Sequence, residues 1–188
     1  IDPTYYWSII SDLPFNIAST IEDVDTLIPF RQFTTYYLYS YADDCNIFLP
    51  KLEQYIKNQE SLIWDRAGKP TRVGMQSHEL ILGANNDVII DLTNRLKPLI
   101  TEFVQSFPLL IKMCNSRDFQ NKLSGWGVVL SKAGYQKRHI HPEAIVSGVV
   151  YIKLSDECID QSLSGGNLML HSSQDDVMIA PSEGLVVL

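Results

Sequence analysis

Cysteine is scarce in this chain: Cys45, Cys114 and Cys158 are odd in number, far apart, and include no C-x-x-C pair. Neither a disulfide framework nor a thiolate zinc site is indicated, and reduced thiols in a cytosol fit this usage. Long apolar runs are missing as well, since nothing approaches the roughly 18 uninterrupted apolar residues of a membrane-spanning helix. The opening IDPTYYWSII has neither the basic n-region nor the long apolar h-region of a signal peptide. The expectation is a soluble, cytoplasmic protein with no membrane partner. Positive charge is also short, with 15 Lys and Arg against 22 Asp and Glu, a formal charge of −7. It is spread along the chain, so a nucleic-acid backbone is disfavoured as the main partner. Gly165-Gly166 lacks the Lys-Ser/Thr and following helix of a phosphate loop and reads as a strand-entry turn. Asp156, Glu157, Asp160, Asp175 and Asp176 lack the D-x-D-x-D-G pattern of a calcium loop and read as solvated charges.

What is present fits one domain with a sizeable core: 188 residues, 45% of them apolar. Residues 1–29 show no dominant period and read as a short helix with a connecting arm, or as the end of an upstream module. Residues 30–124 form a mainly helical part. Phe33 to Tyr39 is rich in aromatic and β-branched residues and reads as a strand. From Asn46 to Trp64 the apolar residues follow helical spacing, with Pro50 placed in the first turn. Residues 66–74 read as a loop carrying Gly68, Pro70 and Gly74. A second helix follows the Asn85-Asn86-Asp87 cap signal and continues to Phe107, with Pro98 expected to kink or divide it. From residue 125 to 188 the pattern shifts to short apolar runs at 126–130, 145–154, 167–171, 177–179 and 185–188. Such spacing indicates an antiparallel sandwich or jelly roll, with helices first and the β half second.

The chemistry concentrates in WGVVLSKAGYQKRHIHPEAIVSGVVY, residues 126–151. His139, His141 and Glu143 fall at every second position, so in an extended backbone their side chains share one face. Two neutral imidazoles with a carboxylate suit Fe(II), Zn or Mn, and an open metal position permits oxygen or water chemistry. The spacing also fits ordinary polar residues at a strand end beside Lys137 and Arg138.

The words GYQKRHIHPEAIVSGVVYIKL, SGGNLMLHSS and MIAPSEGLVVL resemble the core of the iron(II) and 2-oxoglutarate-dependent oxygenases. The resemblance is to the bacterial and phage family whose core reads H-x-H-P-x-x-x-x-S-G-V-x-Y. Phe33-Thr34-Thr35 and Gly74-Met75-Gln76-Ser77 are similar to that family's words too, so the likeness spans about residues 30–188. It implies an α+β fold, a double-stranded β-helix (jelly roll, cupin-like) with N-terminal helices packed on one face. It also implies Fe(II) and 2-oxoglutarate as cofactors, O2 as cosubstrate, and hydroxylation of a C–H bond. His139 matches the first iron ligand. The second ligand position, carboxylate in most of the superfamily, is His141 here, with Glu143 as the alternative. Ser147 and Tyr151 share strand parity and are candidates to reach the cosubstrate, and Gln76 and His78 are candidates for a substrate entrance. His171, in a polar loop, is a minor ligand candidate.

The family places its distal His and a 2-oxoglutarate-binding Arg on strands after GLVVL. Their absence from this sequence, with the apolar run at its end and Ile1 at its start, leads to the expectation of a longer natural protein. The competing readings are a non-catalytic jelly-roll binding module and a cupin-like metal enzyme that does not use 2-oxoglutarate. A small molecule, a peptide or a carrier-bound intermediate all remain open as substrate, and the sequence does not fix the oligomeric state.

Overall fold

In the computed structural model the residues described are 4–12, 34–38, 42–108, 110–111, 123–141, 144–159, 165–170 and 176–188. Among the described residues helical spacing produces two long helices, α1 (Ala42–Lys57) and α2 (Asp87–Gln105). Asn86 caps α2, its side-chain oxygen accepting from the Val88 N–H, as the cap signal predicts. The expectations for the two prolines need correction. Helix α1 starts earlier than predicted, so Pro50 lies in its interior, and Pro98 leaves α2 undivided. Both prolines are exposed, as are Asn46 and Asn94 four residues before them, so the carbonyls that lose a helical partner can meet water.

Helix α1 also ends sooner than its apolar spacing suggests. Ile63–Trp64 is a short strand, β3, antiparallel to β4 (Thr71–Gln76), which takes the place of the last part of the loop expected at residues 66–74. Among the described residues the larger sheet has seven strands in the order β2-β9-β6-β1-β5-β4-β3, with antiparallel pairing throughout. Its other members are β1 (Thr4–Asp12), β2 (Thr35–Tyr37), β5 (Leu123–Gln136), β6 (Ala144–Lys153) and β9 (Leu185–Val187). Where a short helix is expected at the start of the chain, residues 4–12 form β1, a central strand between β5 and β6; residues 13–29 of that expectation lie outside the described residues. The missed signal is the run Tyr5-Tyr6-Trp7-Ser8-Ile9-Ile10, β-prone and bracketed by Pro3 and Pro14. The order of helices before strands gives way to one sheet that draws on both halves of the sequence. Nor is the apolar run at 185–188 an edge, because β9 pairs with β2 on one side and β6 on the other. After the four-residue helix α3 (Asp156–Ile159), strands β7 (Leu168–Leu170) and β8 (Val177–Ile179) pair as a second antiparallel sheet.

Strand alternation sorts the sheet into two faces. Val129, Val146, Val150, Ile152, Val186 and Leu188 pack with Leu52 and Ile56 of α1 and Ile89, Leu92, Leu96 and Phe103 of α2. Each such buried aliphatic side chain contributes about 1.5–3 kcal/mol of transfer free energy, so this face carries most of the fold's cohesion. On the opposite face Val149, Tyr151, Leu185 and Val187 pack with Ile179, Leu168, Leu170 and Val177 of the small sheet. Helices therefore cover one face and two sheets meet across the other, an α+β arrangement.

A candidate metal and ligand site at the end of β5

Strand β5 is long, and it changes direction before the histidines. Between the pairs Arg72↔Tyr135 and Gly74↔Leu130, residues 131–134 lie opposite Val73 alone. Ala133 (φ 61°) and Val73 (φ 51°) take left-handed backbone at this bulge. Gly134 fits there because an added Cβ would come within 2.5 Å of the Val73 carbonyl and 2.8 Å of the Ser131 carbonyl. A bulge of this kind re-aims the strand end leading into residues 137–141.

In that turn His139 and His141 come together as the alternate spacing predicts. Their ring centroids are 4.8 Å apart, edge to face, while Ile140 between them is 81% exposed. His139 Nδ1 lies 2.7 Å from the Lys137 carbonyl. An N–H donated there leaves Nε2 of the neutral ring with a free lone pair, the form a metal requires. His141 is partly buried beside Trp126, with ring centroids 5.8 Å apart. Burial, then the neighbouring His139, then the Lys69 charge, lower its pKa from 6.5 to about 4. The ring is therefore unprotonated at neutral pH and competes weakly for protons against a metal. Among the described residues no three His, Cys, Asp or Glu side chains form a metal-binding group. His139 and His141 supply two nitrogen donors, while Glu143 and His171 lie outside the described residues.

The shift of His141 carries a pH prediction. Folding lowers its pKa, so between about 6.5 and about 4 the unfolded chain binds a proton that the folded chain resists. The stability from the neutral ring is present above pH 6.5 and is lost as pH falls towards 4. Thermal melts of the metal-free protein across this window should show a steeper loss for the wild type than for His141→Gln. Parallel curves would contradict the assignment.

Around the pair, residues 65–76 supply further groups. The Lys137 N–H donates to the Pro70 carbonyl at 2.9 Å, tying the 66–70 loop to the histidine turn. Lys69 places its ammonium 5.8 Å from the Trp126 ring centroid, within cation–π range. On β4, Gln76 stands opposite Val128 and is only 1% exposed. Its Oε1 accepts from Thr71 Oγ1 at 2.8 Å, and Thr71 Oγ1 accepts from Gln136 Nε2 at 2.7 Å. Gln76 is thus enclosed within a polar chain, whereas His78 is exposed. Ser147 is exposed, and Tyr151 is buried with its hydroxyl donating to the Gly166 carbonyl at 3.1 Å. Burial raises the Tyr151 hydroxyl pKa well above its ordinary value, with Cys158 adding to the shift. That geometry gives Tyr151 a local bond under the small sheet in place of an open reach towards a cosubstrate. A separate cavity of about 300 Å³, lined by residues such as Ile81, Ile89, Asn94 and Leu123, shares no residue with the histidine site.

Trp126 and Lys69 left no local signal in the sequence. They meet only because the β4–β5 pairing brings segments over fifty positions apart to one place.

Residues 124–188 match the family described as "Putative 2OG-Fe(II) oxygenase". The matched segment holds both histidines and the S-G-V-x-Y word, and it is shorter than the span of about 30–188 expected from the sequence. No curated protein and no solved structure gives a match.

Proposed function

We propose, from the match of residues 124–188 to the 2OG-Fe(II) oxygenase family, that the chain is a non-heme iron(II), 2-oxoglutarate-dependent dioxygenase that hydroxylates its substrate. The observation that carries this reading is the edge-to-face approach of His139 and His141 within the matched segment. Their donor chemistry fits Fe(II): the tautomer of His139 that donates from Nδ1 to the facing carbonyl presents Nε2 to a metal, and His141 is kept neutral by burial. Fe(II), when bound with 2-oxoglutarate, supplies the activation of O2 that no amino-acid side chain provides.

The chain's own contribution is to hold and shield. The Lys137 carbonyl orients the His139 ring, the kind of support that keeps a ligand's tautomer and direction fixed. Trp126 flanks His141 and excludes water from one side of it. Glu143 is the proposed carboxylate donor should His141 not serve. We extend the proposal to a jelly-roll architecture for the two facing sheets, to a cytosolic setting, and to a substrate that is a small molecule, peptide or carrier-bound group. No helix among the described residues is long and apolar enough to cross a membrane.

The test is succinate release from 2-oxoglutarate by the full-length gene product under Fe(II) and O2, with no other substrate added. Slow turnover that requires both the metal and O2 is expected. No succinate, together with no Fe(II)-dependent uptake of 2-oxoglutarate, would leave a jelly-roll binding module as the better account.

A further inference from the structure

Positive charge that is scattered along the sequence is gathered by the fold at one corner of the larger sheet. Residues 66–72 hold Arg66, Lys69 and Arg72, residues 132–138 hold Lys132, Lys137 and Arg138, and neither segment contains an Asp or Glu. Sheet register brings the two segments together. Arg72 stands opposite Tyr135 and Thr71 opposite Gln136, and the Lys137 N–H donates to the Pro70 carbonyl at 2.9 Å. Among the described residues no carboxylate forms an ion pair with Arg66, Lys69, Arg72, Lys137 or Arg138, although the chain carries a formal charge of −7. Unneutralised cations grouped in this way attract a polyanion.

Two further observations single out the corner. Tyr135, which lies between Lys132 and Lys137 in sequence and opposite Arg72 across the sheet, is 51% exposed. Trp64, on the edge strand β3, is 52% exposed. Asp65, Val73 and Ala133 are the three non-glycine residues with left-handed backbone among those described, and all of them lie here. The Asp65 N–H donates to the Gly74 carbonyl at 2.8 Å, and Ala133 belongs to the bulge opposite Val73. A β-branched residue such as Val73 takes that conformation under strain, and strain of this kind concentrates where a fold holds a functional surface in shape.

We propose that this corner binds a single-stranded nucleic acid, with Tyr135 stacking on a base and the cations around it meeting the phosphates. The inference goes beyond the dioxygenase reading and does not depend on it. An exposed aromatic face set among Lys and Arg suits a flexible strand, since every base offers a π-face and every linkage a negative charge. An acidic peptide would satisfy the cations and leave the Tyr135 ring without a stacking partner. A duplex hides its base faces in the stack and brings denser charge against the acidic remainder of the chain.

The experiment is fluorescence anisotropy of a labelled oligothymidylate of about twelve nucleotides with the full-length gene product, with thermal melting as the check on folding. Wild type, Tyr135→Ala, Tyr135→Trp and the double variant Lys137→Gln, Arg138→Gln are compared. A control double variant, Lys51→Gln, Lys97→Gln, removes the same charge from exposed positions on α1 and α2. Binding is expected at about 50 mM salt and should be about 20-fold weaker at about 200 mM, as roughly three phosphate contacts require. Tyr135→Ala should weaken it about tenfold and Tyr135→Trp should retain it, because stacking needs a ring and not a hydroxyl. The Lys137, Arg138 pair should weaken it about tenfold and flatten its salt dependence, while the control pair changes little. An equal loss in the control pair would reduce the effect to net charge and overturn the proposal. A decaglutamate peptide that displaces the strand and binds wild type and Tyr135→Ala equally would assign the corner to an acidic protein partner instead. Tighter binding of a duplex of the same length, oligothymidylate binding unchanged in Tyr135→Ala, or no binding to wild type overturns it as well.

Discussion

Replacing His139 by Ala is expected to weaken Fe(II) binding by at least about 100-fold, and His141→Ala should do the same. Loss of an outer-shell partner of a metal ligand already costs about 10–100-fold, and a ligand itself contributes more. The two rings stand 4.8 Å apart with only Ile140 between them in sequence, so neither variant leaves a second imidazole in an equivalent place. Among the described residues His78 is the only other histidine, and it is exposed at the far end of β4. Anaerobic Fe(II) titration of each variant beside the wild type checks this. Full retention of affinity in both variants would remove the pair from the site. A loss in His139→Ala alone would transfer the second ligand role from His141 to another donor, Glu143 being the nearest in sequence.

The second large effect concerns the scaffold. Leu96→Ala should lower the unfolding free energy by about 2–5 kcal/mol, the range for removing a fully buried leucine side chain. Leu96 has no exposed surface and lies in the cluster where α2 and α1 meet the sheet. The neighbouring polar contacts offer little compensation. Arg95 bonds Asp91 at 2.9 Å and places its guanidinium 4.3 Å from the Phe48 ring centroid, tying α2 to α1 at the surface. Helical ion pairs of this spacing are worth only a few tenths of a kcal/mol. Ile90→Ala, at a position 44% exposed on the same helix, serves as the comparison and should change stability far less. Urea unfolding of the three proteins decides the point, and equal midpoints would mean that this face does not hold the fold together.

Periodicity made the two helices and most strands after residue 123 legible, because burial on one face leaves a regular trace in the sequence. Val177–Ile179 was predicted at its observed bounds, and Leu185–Val187 within a residue. Strand β4 escaped because Gly74 and Val73, where the chain bulges, interrupt the alternation that marks a strand. Strand β1 escaped because it carries apolar and aromatic residues on consecutive positions, without the alternation that marks a strand with one solvated face. The candidate site divides in the same way. The approach of the His139 and His141 rings was legible because the turn keeps their alternate spacing, with Ile140 turned to solvent. Tyr151 shares the strand parity of Ser147, yet its hydroxyl is taken by Gly166, fifteen residues on, a bond that no local pattern announces. Lys69 reaches Trp126 through sheet register alone.

X-ray absorption at the iron edge, on the anaerobic Fe(II)-loaded full-length protein, tests most directly whether His139 and His141 hold one metal ion together. The account predicts outer-shell imidazole scattering in the wild type that declines in His139→Ala and again in His141→Ala. A purely oxygen-ligated spectrum, or an imidazole contribution unchanged by both substitutions, would contradict it.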